Sequence, residues 1–163
     1  MKKALILGLT CAALLAGPVA FAQTAPAAKK KTAVKAAKPA GASVSTKLMA
    51  DEKLMMDAIV KHDAKTFFAL IAPGAMSIDE GGLAPVEDFR KSFDQVKVDS
   101  QTATEMKVIS LGANTVLVTY KLAQKGSYMG QPLPPVVYAT TVWKNKNATW
   151  LAVFHQESTA AKH

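Results

Sequence analysis

Residues 136–158 read VVYATTVWKNKNATWLAVFHQES. Two apolar runs flank the polar stretch Lys144-Asn145-Lys146-Asn147-Ala148-Thr149. Both runs are rich in β-branched and aromatic residues, the composition of paired antiparallel strands. In the first run, Val136, Tyr138, Thr140 and Val142 share one face, and Val137, Ala139, Thr141 and Trp143 the other. In the second, Trp150, Ala152 and Phe154 oppose Leu151, Val153 and His155. A sheet wetted on one side alternates apolar with charged residues. This hairpin is apolar on both faces, so both faces are expected to be covered. Strict alternation also implies that a strand turning Trp150 into a pocket turns His155 away from it.

Upstream, the 163-residue chain opens on a leader. Lys2 and Lys3 precede an apolar run over residues 4–16, and Ala20-Phe21-Ala22 forms a small-x-small cleavage site. These parts predict a signal peptide over 1–22, export to the periplasm or beyond, and contact with the membrane only through that leader before cleavage. The run is too short for a membrane span. Cys11 leaves with the leader, and without it a disulfide, a thiolate nucleophile or a cysteine metal site has no residue to form it. Residues 23–44 are Ala-, Lys- and Pro-rich with few large apolar side chains, the composition of a disordered linker. The domain is then expected over 45–160, with 161–163 as a tail. The net charge of +8 is concentrated ahead of that domain. Seven of the 20 basic residues and none of the 12 acidic ones lie in 1–44, which leaves the rest near +1. A nucleic-acid partner, which needs a basic patch on a structured face, is not indicated.

Within the domain, Ser45 or Thr46 is placed to cap a helix running to about Lys61, with Leu48, Met49, Met55, Met56, Ile59 and Val60 as its apolar stripe. Glu52 falls inside that stripe. It is either wet and favoured by the nearby helix N-terminus, or buried and in need of partners. Asp63 caps a second helix over 64–71, which Pro73-Gly74 ends. A short strand over 75–79 and a Gly81-Gly82 loop lead to Pro85 at the first position of a third helix, with Val86, Phe89 and Phe93 inward. Strands over 102–110 and 115–124 turn at Gly112-Ala113-Asn114, and a Gly/Pro loop over 126–135 leads into the hairpin. Helices early and strands late predict an α+β domain: a curved antiparallel sheet with three N-terminal helices on its concave face.

Three passages stand out in this order: Ala58-Ile59-Val60-Lys61-His62-Asp63-Ala64-Lys65-Thr66-Phe67, then Ser77-Ile78-Asp79-Glu80-Gly81-Gly82 leading to Pro85-Val86-Glu87-Asp88-Phe89, and finally Trp143 through Thr149-Trp150 to His155-Gln156-Glu157-Ser158. Together they resemble the nuclear transport factor 2-like superfamily, with its polyketide-cyclase-like and secreted groups the nearest in look. The resemblance implies a cone-like sheet wrapped on the first helix, an internal pocket, and a homodimer through the outer sheet face. It does not select an activity, because the fold hosts isomerases, dehydratases, cyclases and non-catalytic scaffolds.

Motifs for acyl transfer, zinc hydrolysis, phosphate binding and dinucleotide binding are absent. His62, His155 and His163 are too scattered in sequence to suggest a metal site, and no cofactor is indicated. An acid–base site is better motivated. The resemblance to ketosteroid-isomerase-type enzymes implies a pocket carboxylate as base and a Tyr or acid as oxyanion donor, for which Glu52 and Tyr138 are the candidates. Asp79, Tyr120, Trp143, Trp150 and His155 are candidate pocket residues, although both tryptophans also suit plain sheet packing and His155 a hydrogen-bonded structural role. The leading expectation is an exported domain that binds a small apolar ligand or serves as a scaffold. The alternative is a lyase or isomerase on a hydrophobic polyketide- or steroid-like substrate. A third class is an envelope module whose sheet face meets another protein.

Overall fold

The computed structural model describes residues 40–160. The leader, the linker up to residue 39 and the tail 161–163, including His163, lie outside the described residues. The element order is α1 (Ala42–Val60), α2 (Ala64–Ala69), β1 (Ile71–Asp79), β2 (Gly82–Pro85), α3 (Val86–Ser92), a 3-10 turn (Phe93–Gln95), β3 (Val96–Gly112), β4 (Thr115–Tyr128), β5 (Gln131–Pro132), β6 (Val136–Lys146) and β7 (Thr149–Thr159). One curled sheet contains every strand, in the order β2-β1-β7-β6-β4-β3, with β5 on β4. The expected α+β architecture with early helices is present. Pairing is antiparallel throughout except between β1 and β7, which run parallel.

Helix α1 starts at Ala42, inside the stretch read as linker, and Gly41 precedes it without a side-chain cap. Ser45 and Thr46 are not caps. Their hydroxyls donate back to the carbonyls of Ala40 and Ala42, as Ser and Thr do inside helices. The buried face carries Leu48, Glu52, Met55, Met56 and Ala58. The helix closes with His62 at φ 58°: its N–H donates to Ile59 O, and Asp63 N–H to Ala58 O. That is a Schellman closure with histidine where glycine is usual. Asp63 then caps α2 by accepting from Thr66 N–H at 3.0 Å, as its sequence position suggests.

Helix α2 is shorter than expected, because Ile71 has already joined β1 opposite Ala152. Pro73 and Gly74 (φ 74°) interrupt β1 rather than end a helix, and the β1/β7 register shifts there. Pro85 precedes α3 as its cap residue rather than opening it. Strands β3 and β4 outrun their expected bounds and take in much of the 126–135 loop. Register shifts near Val98, Glu105 (φ 55°) and Ser110 bend β3 across the molecule. At the first of them Gly126 is obligatory, since an added Cβ would sit 2.2 Å from the Lys97 carbonyl oxygen.

The main core lies between α1 and the concave face. Leu48, Met55 and Met56 pack with Val118, Leu122 and Trp143. A second cluster joins Phe68, Ala75, Val86 and Phe93 beneath α2 and α3. The β6–β7 turn is only Asn147-Ala148, at φ 54° and 62°, the two positive values of a type I′ hairpin. Alanine is ill-suited there, since a left-handed conformation costs a residue with a Cβ roughly 1–2 kcal/mol. Ala148→Gly is therefore expected to stabilise the domain by about 1 kcal/mol. A urea midpoint equal to or below that of the wild-type chain would contradict the turn assignment.

Candidate functional site

Alternate residues of β4 and β6 point into the concave face: Val118, Tyr120 and Leu122 from one strand, Ala139, Thr141 and Trp143 from the other. Glu52 enters this layer from α1 and is 0% exposed. It is the buried, partnered carboxylate of the two sequence readings, not the wet one. Trp143 Nε1–H donates to Oε1 at 2.7 Å, and the Tyr120 hydroxyl to Oε2 at 3.2 Å. Loss of solvent raises the Glu52 pKa above the ordinary carboxylate value; the Trp143 bond, His155, Thr141 and Tyr120 hold the rise in check. The Tyr120 phenol is pushed well up, first by burial and then by the charge of Glu52.

Next to this pair stands His155. Thr141 Oγ1 lies 3.0 Å from Nδ1, and Glu157 Oε1 lies 3.4 Å from Nε2. Burial pulls the imidazole pKa down, but Glu157, Glu52 and Asp79 outweigh it, so the net shift is upward. His155 and Glu157 each keep 31% of the side chain accessible, and both line a cavity.

Their orientation overturns the strict alternation read from the sequence. Trp143 pairs with Ala152 but Val142 pairs with Phe154, so Val153 is an extra residue in β7. That bulge resets the phase of the strand. Trp150 and Ala152 face inward before it, and His155 and Glu157 after it, opposite Thr141 and Ala139.

The cavity measures about 220 Å³. Its walls are mainly apolar or aromatic, with Met55, Ile59, Phe67, Phe89 and Leu122 among them, and the Glu52–Tyr120–Thr141–His155–Glu157 group forms a polar side. Asp79, exposed at the end of β1, also lines it and accepts from Gly81 N–H.

Of the residues picked from sequence, Glu52, Tyr120, His155 and Asp79 therefore converge on one cavity. Tyr138 does not: it lies on the opposite face of β6, 51% exposed, and cannot serve as an oxyanion donor to a ligand beside Glu52. Trp143 is buried behind Glu52 and holds it, and Trp150 is buried in the main core; neither lines the cavity. Thr141 and Glu157 were missed. Thr141 shares a strand face with Trp143, a signal present in the sequence, whereas Glu157 needed the bulge. Among the described residues no three His, Cys, Asp or Glu side chains are grouped to hold a metal ion.

No family model matches the chain. No curated protein matches it either. Solved structures do. An NTF2-like protein from Cytophaga hutchinsonii aligns with TM-score 0.66 at 18% identity, over 71% of this chain and 97% of that one. The fold is that of the NTF2-like superfamily. A proposed dehydratase of the NTF2-like family from Streptomyces avermitilis aligns with TM-score 0.63 at 14% identity, over 74% and 98% of the two chains. The association domain of C. elegans CaMKII aligns with TM-score 0.59 at 21% identity, over 72% and 96%. At these identities the likeness establishes the NTF2-like fold, and the chemistry has to be argued from the side chains.

The raised pKa of Glu52 has a stability consequence. The folded state holds its proton more tightly than the unfolded chain, so this group's contribution is complete below the unfolded value of 4.5 and is lost as pH rises through the folded pKa. Glu52→Gln keeps an oxygen for Trp143 and an NH2 for Tyr120 but cannot ionise. Measured by urea unfolding in steps from pH 4 to 8, the stability of this variant relative to the wild-type chain should rise with pH. A difference that stays flat would mean that Glu52 titrates as in water.

Proposed function

We propose that this NTF2-like domain is an exported, periplasmic or secreted binding domain that takes one small, largely apolar molecule per chain. The cavity under α1 carries the reading: a mainly apolar chamber of about 220 Å³ with one polar side, the usual composition of a small-molecule site. An engineered apolar cavity of about 150 Å³ already accepts benzene, so a ligand of one or two rings fits the volume. A homodimer through the outer face of β4, β6 and β7 belongs to the same reading. Tyr138 is exposed on that face, and hub and association domains occur among the structural neighbours. Occupation of that face by a different protein of the envelope is the competing outcome, and the mass of the assembly distinguishes the two.

A lyase or isomerase acting on a hydrophobic polyketide- or steroid-like substrate is the second reading, favoured by one observation: a carboxylate with a raised pKa lines the cavity beside a histidine backed by a second carboxylate. In it, Glu52 or His155 removes a proton and the Tyr120 hydroxyl takes the donor role assigned from sequence to Tyr138.

Native mass spectrometry of the mature protein from its own host is expected to show one retained small molecule per subunit. Ser77 lines the cavity opposite His155 in the β1/β7 register, so Ser77→Phe should occupy the space and lose that mass. A chain that comes out empty and shows no saturable binding across a panel of lipophilic compounds is not a small-molecule binder. For the second reading, any turnover found must fall on Glu52→Gln; unchanged turnover removes Glu52 as the base.

A further inference from the structure

The domain after residue 44 is nearly balanced in charge, with thirteen basic and twelve acidic residues, yet the cavity is not. Among the described residues, Glu52, Asp79 and Glu157 line it, and no Lys or Arg does. Of the described lining residues, His155 is the one side chain able to carry a positive charge near neutral pH, and all three acids act on it. Suppose Glu52 is protonated, His155 is charged, and Asp79 and Glu157 count as carboxylates. The lining still carries one negative charge in excess; with His155 neutral it carries two. A carboxylate or phosphate entering this space would lose its hydration and meet like charge, a combination that costs several-fold to many-fold in affinity. A protonated amine meets the opposite sign, in a cavity whose wall also carries the aromatic rings of Phe67, Phe89 and Tyr128, a residue type that attracts cations.

We propose that the ligand of this cavity is a hydrophobic amine, its apolar body held among the aromatic and aliphatic walls and its ammonium group placed by Glu157 with Asp79 at the rim. Glu157 is suited to the task because it is only partly shielded and its contact with His155 is long, at 3.4 Å. Glu52 is not, since it is fully buried with both oxygens already met by donors. The proposal rests on the reading of the cavity as a small-molecule site.

Three probes of one shape test it: 2-naphthylmethylamine, 2-naphthylmethanol and 2-naphthoate, titrated by fluorescence at pH 7 into the mature chain. The amine is expected to bind at least tenfold more tightly than the carboxylate, with the alcohol between them. Glu157→Gln should narrow the gap between amine and carboxylate several-fold while the alcohol changes little. Asp79→Asn, at an exposed position that does not threaten folding, should narrow it in the same direction to a smaller extent. Saturable binding with the carboxylate equal to or tighter than the amine, or with amine and alcohol equal, overturns the amine proposal and leaves the pocket reading intact. So does a gap that neither variant alters. If none of the three probes saturates, the pocket reading fails and this inference fails with it.

Discussion

A carboxylate sealed in an apolar core is the constraint on which the rest of this structure depends. Glu52 sits where the first helix meets the concave sheet, among Leu48, Met55 and Trp143, and has no access to solvent. Leaving such a group without partners would cost several kcal/mol, enough to consume much of a small domain's stability. Trp143 and Tyr120 meet one oxygen each, and they come from β6 and β4. One helical residue thus requires two adjacent strands at fixed positions, so the requirement for hydrogen bonds also specifies how α1 seats on the sheet. Apolar packing alone would tolerate a small rotation of α1; the indole N–H and the phenol O–H directed at two oxygens of one carboxylate do not.

The second determinant is the irregularity of the strands. Without the extra residue at Val153, a strand with these residues would keep Trp150 on the pocket side and carry His155 to the outside. The bulge brings His155 and Glu157 back to the concave face, opposite Thr141 and Ala139, and completes the polar side of the cavity. The break at Pro73-Gly74 acts on the neighbouring strand in a related way, letting β1 meet β7 on both sides of the register shift so that Ser77 lies opposite His155. Placement of the titratable groups therefore depends on where the ladder is interrupted as much as on the alternation of apolar residues.

This explains what could be read from the sequence. Periodicity exposed the apolar stripe of α1 and the alternation of β6, because those depend on residues three, four or two apart. It also put Glu52 in the stripe and Trp143 with Thr141 on one strand face. The buried state of Glu52 was not legible, since it depends on donors 68 and 91 positions away in the chain. The first residue of α1 was misplaced because Ser45 and Thr46, good caps by type, instead bond back to the preceding turn. The ends of α2 and α3 were misread around Pro73 and Pro85, each of which fits a strand edge or a cap position as well as a helix boundary. Tyr138 was chosen by residue type; one position along a strand separates the inside of the sheet from the outside, and Tyr120, opposite Ala139 on the adjacent strand, holds the inward place.

The division between Glu52 and His155 bears on which functional reading is stronger. For Glu52 to take a proton from a ligand, one oxygen has to turn away from Trp143 or Tyr120. A hydrogen bond to a charged group contributes roughly 1.5–3 kcal/mol, and the abandoned indole N–H would then be buried without a partner. A base that has to break the fastening of its own fold begins at a disadvantage that a substrate must offset. His155 has less to give up: it is partly accessible and borders the cavity, and although Thr141 meets one ring nitrogen at 3.0 Å, the contact of the other with Glu157 is long, at 3.4 Å. The first carboxylate is thus tied into the fold, while the histidine and the second carboxylate border the cavity and are the groups left for the ligand contact proposed above. Proton transfer in this cavity, where it occurs, is better suited to the His155–Glu157 pair, and recognition by charge needs no movement of Glu52 at all.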